Sequence, residues 1–136
     1  HERILELIEQ VDIYSINFNE AKTFFQIERE EEAIQAIQDI KKPCFFRAGA
    51  KGAYLIQDGE VSFLESVDKE CSVDATGCGN CSTATALIGF AEGLTPMETL
   101  AMANISAGYN ARQYGPWPLV DESVRQEAIK KLKQIL

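Results

Sequence analysis

At 136 residues the chain has room for one modest domain, or part of one, and is too short for two. A formal charge of −8 excludes the clustered Lys and Arg that a nucleic-acid surface needs, and no apolar run approaches the roughly 18 residues of a membrane span. The opening HERILELIEQ is charged and amphipathic rather than signal-like, and cysteines at 44, 71, 78 and 81 in an ordinary composition predict reduced thiols and a cytoplasmic protein.

In chain order, Ile4, Leu5 and Ile8 fall at helical spacing over residues 2–10, and VDIYSIN from Val11 reads as a strand. Asn19 to Ile27 reads as a short helix. The acidic run EREEEA at residues 28–33 reads as the solvated start of a second one, whose apolar stripe of Ala33, Ile34, Ala36, Ile37 and Ile40 stops before Pro43. PCFFRAG is a buried strand, Lys51-Gly52 leads into AYLIQ, and Asp58-Gly59 turns a hairpin into an antiparallel EVSFLE. A long helix is predicted from Asn80 to Glu92, closed by Gly93, and a Thr95-Pro96-Met97-Glu98 capping box starts another that runs towards Tyr114. GPWP breaks it, and Asp121 caps a final helix with Val124, Ala128, Ile129, Leu132 and Ile135 facing inward. About four strands are few for an α/β sheet, so one edge is expected to need a partner, and any homo-oligomer is expected to cover that edge.

The stretch DATGCGNCSTATALIGFAEG, from Asp74 to Gly93, carries the chemistry. Cys78 and Cys81 at CxxC spacing could form a redox dithiol at a helix start, but a zinc site would want two more matched ligands. Gly77-Cys78-Gly79 before a helix could instead gather backbone N–H groups into an anion-binding nest, or simply make a tight turn. On spacing alone these readings stay open.

The stretch resembles the C-terminal signature of the ribokinase-like sugar kinases, the PfkB carbohydrate kinase family, whose pattern is D-[TA]-x-G-[AC]-G-D followed by a helix of small and apolar residues. Asn17-Phe18-Asn19-Glu20 is similar to the family's N-x-x-E motif. Arg47-Ala48-Gly49-Ala50-Lys51-Gly52 is similar to a loop usually read as [TS]-x-G-x-x-G, and AMANISAGYNARQYGPWP to the adenine-side helix and the loop after it. The resemblance covers essentially the whole chain and corresponds to the C-terminal half of such a kinase. It implies a ribokinase-like α/β/α layered fold with a mainly parallel sheet and a β-hairpin, and an ATP-dependent phosphotransferase acting on a sugar or nucleoside.

By position, the resemblance implies that Gly77, Cys78 and Gly79 form the anion hole for the transferred phosphoryl group. Glu20, with Asn17, would organise Mg²⁺ through its waters. Arg47, Ala48, Gly49, Lys51 and Gly52 would lie along the nucleotide, with Asn104 near the adenine and Asp74 at the K⁺ site of some members. Each has a plainer reading: Glu20 as a helix start, Gly49 and Gly52 as a strand exit, Asn104 as a flank residue, Lys51 as a solvated cation. One position departs from the pattern: the family's general base is an aspartate, and this chain has Asn80. An amide cannot take the proton, which predicts impaired transfer over a preserved anion hole, or a degenerate protein that binds nucleotide or sugar for regulation.

Overall fold

A computed structural model describes residues 1–115 and 121–136. Its sheet has the order β1-β2-β3-β4, from β1 (Tyr14–Asn17), β2 (Cys44–Arg47), β3 (Gly52–Gln57) and β4 (Glu60–Glu65). β1 and β2 are parallel, joined by a crossover containing α2 (Phe18–Phe25) and α3 (Glu30–Ile40), while β2–β3 and β3–β4 are antiparallel. The sheet of this chain is therefore mixed, and the expected parallel pairing is confined to β1 and β2. Among the described residues β1 pairs only with β2, which leaves the open edge that the short strand list predicted.

Three layers follow from the two-residue period of the strands. Cys44 and Phe46 of β2 and Tyr54 and Ile56 of β3 pack with Ala33 and Ile37 of α3 on one face. Phe45, Ala53 and Leu55 pack on the other against Ala86 of α4 (Cys78–Ala91) and Leu100 and Ala103 of α5 (Pro96–Ala111). Burial on both faces explains why PCFFRAG and AYLIQ read as continuous apolar runs.

The helix ends depart from expectation in instructive places. α2 begins at Phe18 because Asn17 accepts from the Glu20 N–H while Glu20 accepts from the Asn17 N–H, a full capping box. The strand before it starts at Tyr14, three residues after Val11. α4 begins at Cys78, so Cys78 and Gly79 are helical, and only Gly77, at φ +83°, belongs to the turn. α5 starts at the predicted box and ends at Ala111, short of Tyr114; Pro116, Trp117 and Pro118 of the GPWP break lie outside the described residues. α1 (Glu2–Glu9) buries Ile8 and exposes Ile4 and Leu7. In α6 (Glu122–Ile135), Val124, Ala128, Ile129 and Leu132 line a groove of about 400 Å³ against α4 and α5, and Ile135 is half-buried. The stripe thus faces inward, but none of its residues is fully buried.

Candidate active site

The carboxyl ends of β1 and β2 meet at Asn17 and Arg47, which are paired in register, and α4 starts beside them. Crevices outside the carboxyl ends of strands are where open α/β sheets bind ligands. A cavity of about 330 Å³ lies there. Asn17, Arg47, Gly49, Gly52, Cys78, Gly79 and Asn104 line it, so four segments far apart in sequence converge on one cavity.

Its floor is the amino end of α4. Cys78 N–H bonds Ala75 O at 3.1 Å and Cys81 N–H bonds Gly77 O at 2.9 Å, while among the described residues the N–H groups of Gly79 and Asn80 meet no acceptor. Gly77 offers no capping side chain. The helix end thus carries two free donors, Gly79 in the cavity lining and Asn80 beside it, together with the positive end of its dipole. The turn leading to it is held by Asp74, whose Oδ1 accepts from the Thr76 N–H (3.0 Å) and hydroxyl (2.8 Å) and whose Oδ2 accepts from the Gly115 N–H (3.3 Å). Those bonds, led by the Thr76 N–H, hold its carboxyl below the usual range. Asn110 ties the same turn to α5 by donating to Thr76 O at 2.8 Å.

A second wall comes from α5. Asn104, Ala107, Gly108 and Ala111 lie at helical spacing on the cavity side, and Gly108 lets the loop after β4 approach so closely that a Cβ would sit 3.2 Å from Val67. The i, i+3, i+4, i+7 spacing is the signal for this wall in the sequence; all four residues fall in the segment that resembles the adenine-side helix, and of them only Asn104 has a role implied by that resemblance. Asn104 itself is buried and donates to Leu64 O (3.0 Å) and Glu65 O (2.8 Å), so its NH₂ locks α5 to the end of β4. Val67, Asp68 and Lys69 also line the cavity, with no motif to announce them.

Several expected residues sit elsewhere. Lys51 does not line the cavity: its ammonium bonds Glu30 and the Tyr54 hydroxyl near α3, and that hydrogen bond to Glu30 raises its pKa. Glu30 is correspondingly withdrawn from solvent, which corrects the reading of the acidic run as wholly solvated. Ala48 and Gly77 support the walls without lining them, as does Glu20, whose carboxylate pairs with Arg47 at 3.4 Å. Asn80 is exposed at the third position of α4, beside the cavity rather than in its wall, and makes no side-chain hydrogen bond to the described residues. The thiols show no dithiol pairing. Cys78 Sγ lies 3.5 Å from Ala107 O, Cys81 Sγ lies 3.7 Å from Ser106 O, and all four cysteines are free. Burial pushes the Cys44 thiol up to about 12, which makes it inert.

A three-layered α/β sheet with a glycine-led helix opening at its carboxyl edge is the arrangement of the ribokinase-like kinases. A family model described as pfkB family carbohydrate kinase matches residues 1–121, and the chain belongs to that family. Adenosine kinase from Sinorhizobium meliloti is similar at 27% identity and a TM-score of 0.81, with 94% of this chain and 39% of that one covered. Ribokinase from Arabidopsis thaliana, solved with ribose and ATP, is similar at 28% identity and a TM-score of 0.82, with 95% and 43% covered. A probable sugar kinase from Rhizobium etli shares the fold at 24% identity and a TM-score of 0.83, with 99% and 40% covered. The chain therefore spans about two-fifths of the length of these relatives. No curated protein matches it.

Proposed function

We propose that the cavity at the start of α4 holds the phosphates of ATP, and that the chain is the nucleotide-binding portion of an ATP-dependent phosphotransferase for a sugar or nucleoside hydroxyl. The observation that carries this reading is the uncapped end of α4, with the Gly79 and Asn80 N–H groups unpaired beside the cavity, in a chain of the pfkB family. Donors fixed before the ligand arrives stabilise charge on a transferred phosphoryl group without reorganising, the largest contribution in such catalysis. The loop from Arg47 to Gly52 would follow the nucleotide through Arg47, Gly49 and Gly52. Lys51 serves as the strut to α3, and Asn104 positions α5 rather than reading the base through its NH₂.

Mg²⁺ would neutralise phosphate charge and orient the terminal group. Among the described residues no cluster of three acidic, His or Cys side chains offers a metal cage, but Mg²⁺ keeps waters and phosphate oxygens as ligands, so the single half-exposed carboxylate of Glu20 fits it. K⁺ beside Asp74 would have to share oxygens already bonded to Thr76 and Gly115, so Asp74 is read as a brace for the turn.

Asn80 stands where the acceptor hydroxyl would lose its proton. Without a base, transfer falls by about 10²–10⁴ while phosphate binding persists. The same residue favours a second reading, a nucleotide or sugar sensor. The two separate in a coupled assay of ADP release with ATP, Mg²⁺ and a panel of sugars and nucleosides, run on the protein and on Asn80→Asp. Turnover by the aspartate form alone supports a kinase that lost its base; binding without turnover in both forms supports the sensor; failure of ATP–Mg²⁺ to stabilise the protein thermally refutes the kinase and the nucleotide sensor, and failure of the sugars as well refutes the sensor altogether.

A further inference from the structure

The loop between β2 and β3 opens with Arg47 where the related pattern has Thr or Ser, and the side chain crosses to α4. Its Nε donates to Ser15 Oγ at 3.2 Å, and Ser15 Oγ in turn lies 3.2 Å from Thr83 Oγ1 of α4. One terminal nitrogen meets Glu20 Oε2 at 3.4 Å. The other lies so close over Gly79 that a Cβ there would fall 2.5 Å from it. The guanidinium is thus pinned against the second residue of a helix whose positive end carries two free N–H donors.

Left as it stands, this arrangement places like charges together. A cation at a helix N-terminus is unfavourable, and the carboxylate in reach is half exposed and at the long end of hydrogen-bond distance. Arg47 for Thr or Ser adds one positive charge, and Asn80 for Asp removes one negative, so this cleft is two charges more positive than the pattern it resembles. A polyanion in the cavity would answer both sources at once, since a guanidinium fork and backbone N–H groups suit phosphate oxygens.

We propose that Arg47 is the phosphate-recognition residue of this cleft and takes over part of the charge neutralisation that Mg²⁺ supplies, so that nucleotide polyphosphates stay bound when the metal is removed. The proposal rests on the nucleotide reading above, and Glu20 would hand Arg47 to the phosphate as it turns to the metal.

The test is calorimetric titration of ATP and adenosine into the protein, Arg47→Lys and Arg47→Met, each with Mg²⁺ and again with EDTA. The protein is expected to keep measurable ATP affinity in EDTA. Arg47→Met should lose roughly ten- to a hundredfold in ATP affinity, with the larger loss in EDTA, since a hydrogen-bonded charge contact is worth about that much. Adenosine affinity should not change, which also reports an intact fold, and Arg47→Lys should recover part of the loss. Equal ATP binding by the Met variant in EDTA, or a parallel loss of adenosine, would overturn the assignment. If neither ATP nor adenosine binds the unaltered protein, the nucleotide reading itself falls.

Discussion

Replacing Gly52 by alanine should damage this protein far more than the same change three residues earlier, at Gly49. Gly52 has φ +141°, and a Cβ there would lie 2.2 Å from Leu64 O and 2.9 Å from Glu65 Cα. Both obstacles are backbone of β4, where Gly52 pairs with Glu65, so relief requires parting the ladder. The same carbonyls, Leu64 O and Glu65 O, accept the buried Asn104 amide, so the displacement also reaches α5 and the cavity wall. A strained backbone conformation costs about 1–3 kcal/mol and overpacking another 1–3, giving roughly 4 kcal/mol in the middle of the range. Gly49, at φ +61° with open space around it, should cost only about 1–2 kcal/mol for the left-handed conformation. Urea denaturation followed by far-ultraviolet circular dichroism on both variants measures the difference, expected at roughly 2–3 kcal/mol. A Gly52→Ala variant no less stable than Gly49→Ala would refute the close approach of loop and hairpin.

Asn17→Ala should cost about 1 kcal/mol through loss of the α2 cap, readable as a lower urea midpoint at unchanged slope. Glu20→Gln should fold normally, because glutamine still accepts the Asn17 N–H, yet weaken the Mg²⁺ dependence of ATP binding; equal loss of stability in both variants would show Glu20 to be only a cap. For Asp74 the folded pKa is lowered from 3.8, so its contribution is fully present above about pH 4 and disappears as pH falls through the folded value. In acid-unfolding scans Asp74→Asn should therefore be less stable than the protein at pH 7 and should converge on it at low pH; a constant gap at all pH values would contradict the assignment.

Much of the fold is legible because local signals agree. Asp58-Gly59 between two strand-like runs predicts the hairpin that pairs β3 with β4, and the Thr95 box and the Asp121 cap start α5 and α6 as predicted. α4 starts two residues before the predicted Asn80, because Gly79 reads as turn in the sequence. In the folded chain it is helical, and its missing Cβ makes room for Arg47. N-x-x-E illustrates a different limit: Asn17 and Glu20 form an ordinary capping box, so the residues that suggest a metal site also have a complete structural purpose. Strand direction was not legible for β3, whose return beside β2 makes most of this sheet antiparallel. The side of the sheet on which Lys51 falls was equally hidden, because a loop residue carries no period to fix its direction. Nor could spacing show that Arg47 reaches Ser15 and Glu20, since that depends on the register of two strands brought together by a crossover.

The most direct test of the nucleotide site is a titration of ATP–Mg²⁺ followed by backbone amide nuclear magnetic resonance. The largest shifts are expected on the Gly79 and Asn80 N–H groups, with further shifts from Arg47 to Gly52 and at Gly108. Shifts confined to the groove between α4, α5 and α6, or none at saturating nucleotide, would contradict the nucleotide reading.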